Sequence, residues 1–229
     1  MSKEKMKENK TELVFILDRS GSMGGLESDT VGGYNTMMEK QRKAGGEVIV
    51  TTVLFDDRYE LLHDRIPLTD LKPMTEDDYF VRGSTALIDA IGITINKIAQ
   101  VHSNTLPKHR ADNTIFVITT DGYENASHKF RAEDVRKTVE QKREKDKWEF
   151  IFLGANIDAV ETARQYGFAE SRAVNFCADS SGINCLSETL GDTLNIARFR
   201  VPGSISDGEM IECLDPIAED NKNRGQTNK

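Results

Sequence analysis

The sequence predicts an α/β fold: a doubly wound, mainly parallel sheet with one antiparallel edge strand and helices on both faces. Three observations carry that expectation. Apolar or β-branched stretches of strand length recur at 13–17, 47–55, 114–120 and 148–154, a pattern suited to strands buried on both faces of a parallel sheet. Segments with helical spacing of apolar residues alternate with them, and strand–helix alternation builds parallel sheets through right-handed crossovers. The first run, Leu13-Val14-Phe15-Ile16-Leu17, stops abruptly at Asp18 and a small polar turn. In such sheets ligands sit beyond the carboxyl ends of the strands.

Each element follows in order. Residues 1–11 are a polar, lysine-rich lead-in, expected to be flexible. After the Asp18 turn, residues 25–44 read as a helix with Val31, Tyr34, Met37 and Met38 on one face, stopped by Gly45-Gly46. Residues 47–55 are rich in Val, Ile and Thr and read as a strand. The Asp56-Asp57-Arg58 turn is so short that residues 59–66 must return antiparallel beside it. A loop over 68–81 contains Pro73 and leads to Gly83-Ser84-Thr85. Leu87, Ala90, Ile91, Ile95, Ile98 and Ala99 then place a helix over 86–101. A strand follows at 114–120, a highly charged helix at 131–145 and a strand at 148–154. A helix at 158–166, a short strand at 173–178 and a last helix at 182–200 complete the alternation. Pro202-Gly203-Ser204 breaks that helix, and residues 206–229 show little periodicity. The expected organisation is a flexible segment over 1–11, one domain over 12–200 and a loose polar tail over 201–229.

Composition narrows the function classes. The chain has 229 residues, 38% hydrophobic and 30% charged, enough for a substantial core. A net charge of −8 leaves no basic excess with which to displace counterions from a nucleic acid or to bind an anionic membrane. No apolar stretch is long enough to span a bilayer, and the charged first ten residues lack the apolar core of a secretory signal. Cys177, Cys185 and Cys213 are odd in number and lack zinc spacing, which fits free thiols in a reducing compartment. A cytoplasmic protein is expected. The histidines, His63, His102, His109 and His128, are scattered and expected at the surface.

The turn after the first strand presents Asp18, Ser20 and Ser22 at alternate positions. All are oxygen donors, which hard divalent cations prefer. Gly21 and Gly24 let the backbone wrap closely enough for these side chains to converge. The same residues also suit a simple strand-to-helix turn, where Asp and Ser cap helices.

The pattern Asp-x-Ser-x-Ser after an apolar strand resembles the opening of the von Willebrand factor A domain family. The family's metal-ion-dependent adhesion site has two further parts, a later threonine and a later aspartate. Thr85 in Gly83-Ser84-Thr85-Ala86-Leu87 and Asp121 in Thr119-Thr120-Asp121-Gly122 match them in order. The resemblance covers roughly residues 12–200. It implies a metal set of Asp18, Ser20, Ser22, Thr85 and Asp121, with Mg2+ as the ion and Mn2+ or Ca2+ as substitutes. It also implies a free-standing bacterial member that binds a protein partner offering an Asp or Glu to the ion. Thr85 or Ser84 could instead cap the following helix, and Asp121-Gly122 could be only a turn. Asp89, Glu124 and Asn125 read as solvated or peripheral groups. In Gly154-Ala155-Asn156-Ile157-Asp158, Asn156 or Asp158 reads as a helix cap.

Two other readings compete with adhesion. An Asp ending the first strand beside hydroxyls and Mg2+ also describes some phosphoryl-transfer hydrolases. Here the second carboxylate such enzymes carry is replaced by Ser20, and only Arg19 lies near enough to meet a phosphate. No phosphate-binding glycine loop or nucleophile elbow is present, so no catalytic residue is assigned. The third reading makes the ion purely structural, a tie between loops of a scaffold protein.

Overall fold

The computed structural model describes residues 9–225. One six-stranded sheet has the order β3-β2-β1-β4-β5-β6, with β1 Lys10–Asp18, β2 Glu47–Phe55, β3 Tyr59–Pro67, β4 Asn113–Thr120, β5 Glu149–Gly154 and β6 Ala173–Asn175. Every neighbouring pair is parallel except β2 with β3. The α-helices are α1 Glu27–Ala44, α2 Leu87–Asn104, α3 Ala132–Asp146, α4 Ala159–Gln165, α5 Ser180–Phe199 and α6 Asp207–Gly225. The expected fold class is the observed one.

The uninterrupted apolar run of β1 has a direct cause. Successive strand residues face opposite sides of the sheet. Leu13, Phe15 and Leu17 pack with α1, α5 and α6, whereas Val14 and Ile16 pack with α2, α3 and α4. Since helices cover both faces, neither set of positions tolerates a polar residue. The chain leaves β1 toward β2 on one side, and β4 lies on the other. The carboxyl ends of β1 and β4 therefore flank the point where the strand order reverses, the place where such sheets form a ligand crevice.

The end of the chain departs from expectation. Much of the polar tail expected over 201–229 is the α6 helix. Met210, Leu214 and Ile217 lie on one side at spacings of four and three and are buried against the α1–α5 face. Acidic residues and Pro216 interrupt that short apolar stripe, which hides its period. Arg224 pins the far end of α6 to Asp179, the N-cap of α5, at 2.5 and 2.6 Å. At the other terminus, Lys10 and Thr11, expected in the flexible segment, belong to β1. The remaining expectations for the termini, over 1–8 and 226–229, lie outside the described residues.

Charge is also buried at the opposite end of the sheet. Glu12 is fully buried in β1, and Arg65 reaches it across β2 with Nε at 2.6 Å. His102, in the last turn of α2, meets the other carboxylate oxygen at 2.7 Å and lies edge-to-face with Trp148, ring centroids 5.3 Å apart. Arg65 adopts a left-handed φ of 52° near the irregular β2–β3 pairing. His102 is thus a partner of the core rather than a surface residue. His63 is half-buried too, stacked on Tyr34, and burial pushes its pKa down.

Candidate metal centre

Asp18 ends β1 and is held from several directions. Its Oδ1 accepts the Ser20 N–H at 2.7 Å, and its Oδ2 accepts the Thr120 hydroxyl at 2.6 Å. Its backbone carbonyl accepts the Tyr79 hydroxyl. The chain then makes a tight 3-10 turn over Gly21–Met23, which leaves the Ser20 and Ser22 hydroxyls 3.2 Å apart. Ser22 Oγ donates to Asp121 Oδ1 at 2.5 Å. The loop after β4 is thereby joined to the loop after β1.

Thr85 arrives on the long connection between β3 and α2. That connection is laid against the Asp18 turn by backbone bonds, Gly21 N–H to Gly83 O at 3.3 Å and Arg82 N–H to Arg19 O at 3.0 Å. Gly83 has a φ of +66°, and a methyl group there would meet Asp57 Oδ1 at 2.3 Å, so the close approach requires glycine. A methyl group on Gly122 would lie 3.6 Å from both Ser22 Oγ and Thr85 Oγ1. Those two hydroxyls flank the same point. Asp18, Ser20, Ser22, Thr85 and Asp121 therefore converge at the carboxyl edge between β1 and β4.

The residues present fit a hard dication. Asp121 is buried, and its Oδ2 has no hydrogen-bond partner among the described residues. Buried polar atoms are almost always paired, so this oxygen marks a place for a donor or a cation. The converging groups are all oxygens, as Mg2+, Mn2+ and Ca2+ prefer. Burial pushes the Asp18 carboxyl above its usual range, against hydrogen bonds from Thr120 and Ser20 that lower it, and the Asp121 charge adds to the rise. Burial likewise raises Asp121, against the bond from Ser22. Arg19 does not relieve them. It is fully buried, with its Nε on Asp56 at 3.0 Å and its Nη2 on Glu60 at 2.5 Å.

Several neighbours read as solvated or peripheral in sequence make structural bonds, Asn125 while remaining exposed. Asp89 accepts the N–H groups of His128, Lys129 and Phe130. Glu124 accepts the Ile88 N–H at 2.8 Å, and Asn125 Oδ1 accepts the Thr85 N–H at 2.9 Å. Ala86, which has no side-chain acceptor, occupies the N-cap position of α2, so capping does not draw on the Thr85 hydroxyl. Asp158 caps α4 as expected, by accepting the Glu161 N–H. Tyr79 and Thr120 carried no signal in sequence, because each is tied to Asp18 only through the fold.

No protein-family model and no curated protein sequence matches the chain. Solved structures do. The vWF domain of the type V pili tip protein Mfa5 from Porphyromonas gingivalis superposes with a TM-score of 0.62 at 12% identity, over 87% of this chain and 99% of that one. A von Willebrand factor type A protein from Catenulispora acidiphila gives 0.58 at 11% identity, over 83% of this chain and 43% of its own. Proximal thread matrix protein 1 from the mussel byssus, with a zinc-occupied MIDAS motif, gives 0.50 at 15% identity, over 83% and 46%. The chain spans less than half the length of the Catenulispora and mussel proteins. At these identities the likeness establishes the fold, that of von Willebrand factor A domains. The class of protein is thus one of that fold with oxygen donors gathered at its ligand-binding edge.

Proposed function

We propose that this chain is a Mg2+-dependent protein-binding module of the cytoplasm, whose partner offers an Asp or Glu to an ion held by Asp18, Ser20, Ser22, Thr85 and Asp121. The observation that carries this reading is the buried Asp121 Oδ2, without a hydrogen-bond partner among the described residues, on the carboxylate that the Ser22 hydroxyl reaches through Oδ1. The two aspartates, acting directly or through water, offset the ion's formal charge, but five protein donors at most leave a six-coordinate Mg2+ an open position where an incoming carboxylate replaces water. A small set of protein donors also suits Mg2+, which keeps several waters. Mn2+ or Ca2+ in its place would leave the argument intact. Two neighbours of the same fold are named as a pilus tip protein and a byssal thread matrix protein, and one as carrying zinc in its motif. The two names support an adhesive role, and the zinc of the second supports a divalent ion. The cytoplasmic part rests on the free cysteines.

Binding is favoured over hydrolysis because Ser20 stands where a second carboxylate is needed. The test is retention of protein from a cell lysate on the immobilised chain, with Mg2+ or with EDTA, beside Asp121→Ala. A protein retained only with Mg2+ and lost with Asp121→Ala is expected, and neutralising one of its acidic residues should abolish retention. Retention indifferent to EDTA and to the substitution would overturn the reading. Mg2+-dependent phosphatase activity would favour the hydrolase instead.

A further inference from the structure

We propose that Asn125 is a positioning residue of the metal centre: it grips both sides of the Thr85 peptide, and so sets how well the site holds a small, geometrically demanding ion. The inference rests on the metal-binding reading above. Asn125 Oδ1 accepts the Thr85 N–H at 2.9 Å, and the Asn125 N–H donates to the Thr85 carbonyl at 3.0 Å. The Ala126 N–H reaches the same carbonyl at 3.2 Å. Asn125 belongs to the loop that carries Asp121, so one loop supplies a ligand and orients another.

The surrounding bonds make that grip stiff. Glu124 Oε2 accepts the Ile88 N–H at 2.8 Å and the Ser127 hydroxyl at 2.7 Å, while Ser127 Oγ accepts the Asp89 N–H at 2.9 Å. In return the Asp89 carboxylate accepts N–H groups from His128, Lys129 and Phe130. The loop caps the helix and the helix caps the loop. Within this exchange Glu124, Ser127 and Asp89 fix α2 to the loop, whereas Asn125 acts on the peptide of the ligand residue itself. Groups that orient metal ligands commonly govern affinity by about 10–100-fold. Mg2+ demands near-octahedral geometry at about 2.0–2.1 Å, whereas Ca2+ accepts longer and more variable contacts. A displaced hydroxyl therefore penalises Mg2+ more.

Calorimetric titration of the full chain with Mg2+ and with Ca2+ tests this, using Asn125→Ala, Asn125→Asp and Asp121→Ala, with melting in EDTA as the folding control. Asn125→Ala is expected to weaken Mg2+ about tenfold and Ca2+ by clearly less, and Asn125→Asp, which keeps the acceptor, to recover most of the loss. Should Asn125→Ala not fold, Asn125→Ser, whose acceptor is too short, is read in the same way. Parent-like Mg2+ affinity in Asn125→Ala (or in Asn125→Ser in its place), or an equal loss for both ions, would overturn the positioning role while Asp121→Ala still abolishes binding. If Asp121→Ala binds Mg2+ as the parent does, the metal reading itself fails and the inference with it.

Discussion

Thr120 and Asp18 join the two central strands where both end: the Thr120 hydroxyl donates to Asp18 Oδ2 at 2.6 Å, both residues being buried. The bond satisfies a carboxylate oxygen that has lost its water. Thr120→Val keeps the shape and removes the donor. A buried acceptor left unsatisfied costs about 1–3 kcal/mol, so Thr120→Val should destabilise the metal-free protein by about that much in urea unfolding. A change below about 0.5 kcal/mol would mean that Asp18 finds another donor.

An ion bound only by the native state stabilises it by mass action, by about 2.7 kcal/mol at a hundredfold excess over Kd. For a chain of this size that corresponds to a rise in Tm of about 5–10 °C. Mg2+ should therefore raise Tm and EDTA reverse it, while Asp121→Ala should show no difference between the two. Differential scanning fluorimetry reads this directly. An equal rise with Asp121→Ala would place the ion elsewhere.

The α6 helix should behave as core. Leu214 is 3% exposed among the residues packed against α1 and α5, and truncating a buried leucine costs about 2–5 kcal/mol. Leu214→Ala should lower stability by that amount in chemical denaturation. A dangling tail would show less than about 0.5 kcal/mol.

The buried Glu12 sets a pH dependence. Burial alone would raise its pKa above 4.5, but the bonds from His102 and Arg65 outweigh it and hold the group below that value. A depressed carboxyl stabilises the fold above its unfolded pKa and loses that contribution as pH falls. The parent should therefore lose stability below about pH 4.5 more steeply than Glu12→Gln does. At neutral pH Glu12→Gln should cost about 2–3 kcal/mol, less than a fully buried broken pair, because Arg65 keeps some contact with water. Parallel stability–pH curves would show that Glu12 does not titrate in this window.

Much of the architecture was legible because β1, β4 and β5 are buried on both faces and therefore carry apolar runs without alternation. Asp18, Ser20 and Ser22 could be picked out from their alternate spacing at the end of a strand, whereas Thr85 and Asp121 could be picked out only through the family resemblance. Asn125 is exposed and Glu124 half-buried, but their bonds to Thr85 and Ile88, 40 and 36 residues away, leave no local trace in sequence. His102 was misread as a surface residue, since its partner Glu12 lies 90 residues away. No local pattern records such pairings. The α6 helix was missed because its stripe is narrow and Pro216, lacking an N–H, argues against a helix on local grounds.

The Ser22–Asp121 bond links positions separated by 99 residues, and that separation has a consequence for biogenesis. Both β1 and β4 must be paired before the two side chains can meet, and such distant pairings form late because closing long loops is entropically slow. A nascent chain that has not yet emerged past Asp121 holds no complete site. Under the proposed function, capture of an ion cannot nucleate this domain; it would arrive as a seal on a topology already assembled.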